Sequence, residues 1–259
     1  VVGNQVRDQF QLDVFGEALL ALGAAERAGR LDAAGRQAID VAAAAIERRW
    51  QQPDAGIWEL DPRRWTHSRL ICAAGLRAVR GLGDRWAGLA DALVADAGRW
   101  GTHPSGRWQR AADDPTLDAA LVIAGIRDAT PVSDPRNLAT LREYVHRLTS
   151  DGFAFRFEHE GCKLGEAEGA FLLCGFMVAI AVHRHGDAQA AVRWFERNRT
   201  ACGPASLFSE EYDVTQRQLR GNLPQAFVHG ALMEAAAVLS RPVAADPLRP
   251  DPVGIGTAS

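Results

Sequence analysis

The chain has 259 residues, 47% of them apolar, and a formal net charge of −3 from 32 acidic and 29 basic side chains. That length and apolar share support a sizeable core and argue against general disorder. The slightly acidic balance argues against a nucleic-acid-binding surface. Cys72, Cys162, Cys174 and Cys202 form no CxxC pair, and no histidine stands at zinc spacing. Neither a disulfide framework nor a metal or other cofactor is therefore expected.

No apolar run reaches the roughly 18–20 residues of a membrane span. The longest, GAFLLCGFMVAIAVHRHG at 169–186, ends in histidines and Arg184 and reads as a buried helix. No leader segment is legible. No membrane association and a cytoplasmic location are expected.

Helical patterning dominates. Over 13–29, Val14, Phe15, Ala18, Leu19 and Leu22 form one stripe, and Gly29 is the expected stop. A second helix over 31–50 has Asp32 as its cap and Ile39, Ala42, Ala43 and Ile46 as its stripe. A loop at 51–65 precedes a helix from Thr66 or Ser68 to about Arg80, and another helix spans 84–100. After a Gly- and Pro-punctuated loop at 101–114, a helix opens at Pro115 and runs to 127. The next covers 134–149. Phe153, Phe155 and Phe157 alternate with other residues, which predicts a short extended stretch or hairpin. A long helix from about Glu166 to His185 follows, then helices over 187–200 and 223–240, with a long loop at 202–222 between them. The Pro- and Gly-rich tail, 242–259, is expected to be loosely ordered. Eight or nine helices with two long decorated loops predict one all-α domain over 1–241, a toroid of helical hairpins with its site where the long loops gather.

Two carboxylate-bearing loops stand out. The first, PDAGIWEL, carries Trp58-Glu59; the second, SLFSEEYD, carries Glu210-Glu211. Paired carboxylates from separate loops are the working parts of most glycoside hydrolases: one donates a proton to the leaving oxygen, the other activates water or attacks the sugar. An aromatic face beside Glu59 suits the acid role, because desolvation favours the protonated form.

The wording of three segments sharpens this. GIWE with Ser68 nine residues on, GEAEGAFLLCGFMVAIAVHRHGDAQAAVRWFE at 165–196, and SLFSEEYDVTQRQLRGNLPQAFVHGALMEAA at 206–236 follow each other in order. They resemble the catalytic segments of glycoside hydrolase family 15, the glucoamylase, trehalase and glucodextranase type, over roughly residues 5–240.

The resemblance implies an (α/α)6 barrel of the six-hairpin kind. It implies exo-acting, inverting removal of glucose from the non-reducing ends of α-glucosides, with no cofactor. It assigns Glu59 as general acid and Glu210, rather than its neighbour Glu211, as general base, some 6.5–9.5 Å apart to admit a water. It places Trp58, Arg156, Asp13, Glu168 and Glu211 at substrate-binding positions, with the Arg156 guanidinium able to fork onto adjacent hydroxyls. His67, Arg69, Gln225 and His229 are secondary candidates that also read as helix-end or packing residues.

Leu60 and the run Leu70-Ile71-Cys72 depart from the family pattern, so the outer substrate sites are expected to differ from those of a starch-degrading enzyme. The short interval between the two catalytic segments points to trimmed loops and a small substrate such as a disaccharide. The family's early aromatic segment has no counterpart ahead of Asp13. The barrel is therefore expected to be incomplete at its N-terminus and completed by a further N-terminal segment or another copy. The competing readings are a degenerate carbohydrate-binding relative without turnover and a helical scaffold for protein interaction.

Overall fold

The computed structural model describes residues 9–82 and 86–242. Of the expected loose tail at 242–259, all but Pro242 lies outside them. The described residues contain nine α-helices and five short strands, grouped into two compact units.

The first unit comprises the described residues within Val1–Pro104, with Trp108–Thr116 and Arg127–Pro131. It holds α1 (Asp13–Arg27), α2 (Ala33–Arg49), α3 (Thr66–Ala78), a 3-10 turn (Arg80–Leu82) and α4 (Ala87–Trp100). Asp32 caps α2 as its position suggests, accepting from Gly35 N at 2.8 Å. The predicted stripe of Ile39, Ala42, Ala43 and Ile46 is buried. α3 is buried from Thr66 through Leu76 on every face, and α1 and α4 pack against it.

The stripe predicted for α1 is corrected. Leu19 is buried, but Val14 is 52% exposed, and the face against α3 runs through Gly16, Leu19 and Gly23. A Cβ on Gly16 would meet the Ile71 backbone at 2.6 Å, and one on Gly75 would meet the Gly16 carbonyl at 2.4 Å. Backbone contact of this closeness excludes side chains, so the seam is made by glycines that a hydrophobic count overlooks.

The second unit comprises Ser105–Arg107, Leu117–Ile126 and the described residues within Val132–Ser259. It holds α5 (Ala120–Ile126), α6 (Pro135–Arg147), α7 (Leu172–Arg184), α8 (Ala188–Arg199) and α9 (Ala226–Leu239). α7 is the central helix: α5, α6, α8 and α9 all pack on it, and it is buried over nearly its whole length. α9 buries Val228, Ala231 and Ala235 and leaves Phe227 and Met233 exposed.

The predicted hairpin is present. β1 (Thr149–Ser150) pairs antiparallel with β2 (Phe153–Ala154), through a turn with positive φ at Asp151 (51°) and Gly152 (71°), the form that suits the twist of a two-residue hairpin. Phe153 and Phe155 enter the core.

Three other boundaries shift. The helix expected from Pro115 begins at Ala120, because Asp118 turns its carboxylate onto Leu121 N at 3.3 Å and the preceding stretch bridges to Phe157. The helix expected from Glu166 begins at Leu172, because β3 (Ala170–Phe171) pairs with β4 (Glu211–Asp213). The loop expected at 202–222 contains β4 and β5 (Gln218–Arg220), giving a three-stranded antiparallel sheet in the order β3-β4-β5.

Candidate active site

In the first unit, Trp58 and Glu59 sit on the loop joining α2 to α3. Asp54 and Arg63 close its neck with two reciprocal backbone hydrogen bonds, both 2.9 Å. Ala55 N reaches Phe10 O at 2.8 Å, and Gln11 donates to Gly56 O at 3.0 Å. Gly56, at φ 66°, turns where a Cβ would strike the Trp65 ring at 2.8 Å. The tight turn then brings Glu59 N onto Gly56 O at 3.1 Å.

Glu59 itself adopts φ 55°, a left-handed conformation that costs a non-glycine residue roughly 1–2 kcal/mol. Its side chain is exposed, so the desolvation expected from the neighbouring Trp58, itself half-buried, is not what the structure shows. Strain of this kind persists only where the surroundings over-determine it, and it gathers at functional sites.

Beneath the loop lies a buried ionic cluster. Asp54 accepts from Gly56 N (2.9 Å) and Ser68 Oγ (2.8 Å) and pairs with Arg69. Burial pushes the Asp54 pKa up and that of Arg69 down, while their mutual attraction opposes both shifts. Asp13, expected at a substrate-binding position, is 4% exposed. Burial, followed by the charge of Asp54, raises its pKa to about 7. His67 is also buried, which lowers its pKa to about 3; the ring is neutral and belongs to the interior.

In the second unit, Glu210 immediately precedes β4. Its backbone N–H donates to Asn222 O at 3.0 Å, and its carbonyl accepts from Leu172 N at 3.2 Å. Asn222 Nδ2 donates to Glu210 Oε2 at 3.3 Å. Gly221 makes room for that carboxylate, since a Cβ there would lie 2.9 Å from Oε2.

Glu211 points elsewhere: its Oε2 accepts from Gly169 N at 2.8 Å, tying the start of β3 to β4. Burial raises the Glu211 pKa, the Gly169 N–H opposes the shift, and the charge of Glu168 adds to it.

Arg156 and Glu168 form a forked ion pair. Arg156 Nε lies 3.2 and 3.1 Å from the two Glu168 oxygens, and Nη2 makes a further contact. Burial works against the Arg156 charge, but Glu168 outweighs it and raises the pKa. The guanidinium stands over Phe171 at 4.7 Å and Phe157 at 5.2 Å. His159 Nε2 lies 3.3 Å from Glu168 Oε2.

The structure thus brings Arg156, Glu168 and Glu211 into one charged cluster beside the strand that Glu210 leads. Trp58 and Glu59 share the other loop, with Asp13 buried in the same unit. His229 packs edge-on against Phe208 and bonds the Gln225 carbonyl at 2.9 Å, a structural placement. Gln225 caps α9.

Asp54 and His159 were not among the site residues expected from the sequence. Asp54 carried one usable signal, its place in a Pro-Asp-x-Gly turn; His159 carried none. Among the described residues no group of three or more His, Cys, Asp or Glu is placed to hold a metal ion, and no helix is long and apolar enough to cross a membrane.

Comparison with known proteins agrees with this architecture. The chain is 31% identical over 255 residues to a trehalase of Mycolicibacterium smegmatis, covering 93% of this chain and 38% of that protein. It therefore spans well under half the length of that relative. A solved glycosidase in complex with glucose superposes with a TM-score of 0.78 at 19% identity, covering 92% of this chain and 70% of that one. A glucoamylase from Saccharomycopsis fibuligera superposes at 0.68 with 12% identity, covering 92% and 71%. These likenesses place the fold in the six-hairpin (α/α)6 glycosidase class. The profile of glycosyl hydrolases family 15 matches residues 1–237, and the chain belongs to that family.

Proposed function

We propose that this chain carries the catalytic carboxylates of an inverting, exo-acting α-glucoside hydrolase. Glu59 protonates the glycosidic oxygen as the bond to the anomeric carbon breaks. Glu210 takes a proton from a water that attacks the same carbon from the opposite face, giving glucose of inverted configuration. The observation that carries the reading is Glu59 itself: an exposed carboxylate in a left-handed backbone conformation beside a half-buried tryptophan. Asn222 supports the second role by directing the Glu210 carboxylate.

Arg156, held by Glu168 over two aromatic rings, is suited to bind adjacent sugar hydroxyls. Trp58 supplies an apolar wall. The substrate is a small α-glucoside. Trehalose is the first choice, because a relative of 31% identity is a trehalase, and the glucose complex of a structural neighbour supports glucose as the sugar released.

The test is glucose release from trehalose, isomaltose, maltose and soluble starch by the full polypeptide that the reading frame encodes. The anomeric form of the product is followed by polarimetry or NMR. Initial release of β-glucose, lost by about 10²–10⁴-fold in Glu59→Gln and Glu210→Gln, supports the proposal. A folded protein silent on every sugar sinks it and leaves a carbohydrate-binding relative without turnover.

A further inference from the structure

The loop that presents Glu59 has little apolar packing along its outer edge: Gln51, Gln52, Pro53 and Glu59 are all exposed. What fixes it lies underneath. Arg69, on the first turn of α3, has no exposed side-chain surface. It donates Nε to Trp50 O at 3.0 Å, Nη1 to Trp65 O at 3.4 Å, and Nη2 to Gln52 O. One guanidinium thereby ties the start and the end of the loop to the same helix turn. Asp54 completes the arrangement from inside the loop. One of its oxygens takes Gly56 N and Ser68 Oγ, and the other faces Arg69.

A buried ion pair is a weak source of stability, since apolar residues of similar volume often serve as well. Apolar residues could not, however, bond four backbone groups, the carbonyls of Trp50, Gln52 and Trp65 and the N–H of Gly56. Glu59 follows Gly56 within a single turn, and its N–H closes onto the Gly56 carbonyl. A shift at Gly56 is transmitted directly to the strained φ of Glu59.

We infer that Asp54, Ser68 and Arg69 are positioning residues for proton donation: they act through the loop to hold the Glu59 carboxyl at the angle at which it reaches a leaving oxygen. The inference rests on the reading of Glu59 as the general acid.

The test exploits leaving groups. A sugar alcohol needs a proton as it departs; fluoride leaves with little help. Steady-state kinetics of wild type, Glu59→Gln, Asp54→Asn, Arg69→Lys and Ser68→Ala are measured on the best natural glucoside and on α-glucosyl fluoride. Asp54→Asn and Arg69→Lys are expected to lose about 100-fold in kcat on the glucoside, the scale of a misplacement near 1 Å. KM should stay within about threefold and the loss on the fluoride under about fivefold, because only a transition-state contact is removed. Ser68→Ala, which removes one hydrogen bond, should show the same selectivity at smaller amplitude. It decides the question if the charged variants do not fold.

Equal losses on both substrates, or full activity on both, would overturn the inference. If Glu59→Gln shows the leaving-group signature and the clamp variants do not, the clamp fails and the acid assignment stands. If wild type cleaves neither substrate, or Glu59→Gln falls equally on both, the acid assignment fails and the clamp with it.

Discussion

Glu168 grips Arg156 along one edge of its guanidinium, with both carboxylate oxygens within 3.2 Å of Nε. Glu168 is 8% exposed, so a buried partner holds the arginine in one orientation. Charged hydrogen bonds are worth about 1.5–3 kcal/mol, and a forked donor set orients as well as attracts. Glu168→Ala should therefore raise KM for the glucoside about 10- to 100-fold, with a smaller change in kcat. Arg156→Lys should lose affinity similarly, because an ammonium cannot fork. Steady-state kinetics and calorimetric titration with glucose check both.

Glu210 and Glu211 should separate cleanly. Glu211 Oε2 is occupied by the Gly169 N–H, a bond that a glutamine oxygen can also accept. Glu211→Gln is expected to keep kcat within about tenfold, whereas Glu210→Gln loses about 10²–10⁴-fold as a general base. Comparable losses in both variants would point to the wrong residue of the pair.

Asp13 makes stability depend on pH. Its carboxyl keeps a proton up to about pH 7 in the folded chain, against an ordinary value of 3.8. Its full contribution is therefore present below pH 3.8 and is lost as the pH rises through 7. That rise in proton affinity on folding corresponds to ~4 kcal/mol. Asp13→Asn should flatten the dependence across that window and leave the variant more stable than wild type at pH 8. Urea melts at pH 4.5 and pH 8 measure the difference.

Gly16→Ala tests the seam between α1 and α3. The added methyl would sit 2.6 Å from the Ile71 backbone, and backbone yields less readily than a flexible side chain. Overpacking of this kind costs about 1–3 kcal/mol, read as a lower urea midpoint with an unchanged slope. Met233→Ala, at an exposed position of α9, should by contrast fall within about 0.5 kcal/mol of wild type.

Local chemistry was legible in the sequence. The cap at Asp32 and the stripe of α2 involve residues within a few positions of one another, so spacing alone specifies them. The Phe153 hairpin was readable for the same reason, and the three ordered segments pointed to the family that the whole-chain match bears out. Tertiary structure decided what depends on distant partners. The α1 stripe moved onto glycines because α3 comes close enough to exclude side chains. The helix beginning at Leu172 lost its expected first turns because β4, forty residues on, claimed Ala170 and Phe171 as a strand. Asp54 became the centre of a clamp only when α3 delivered Ser68 and Arg69 beneath it. Periodicity and capping act along the chain, whereas close packing and buried ion pairs need groups that only folding brings together.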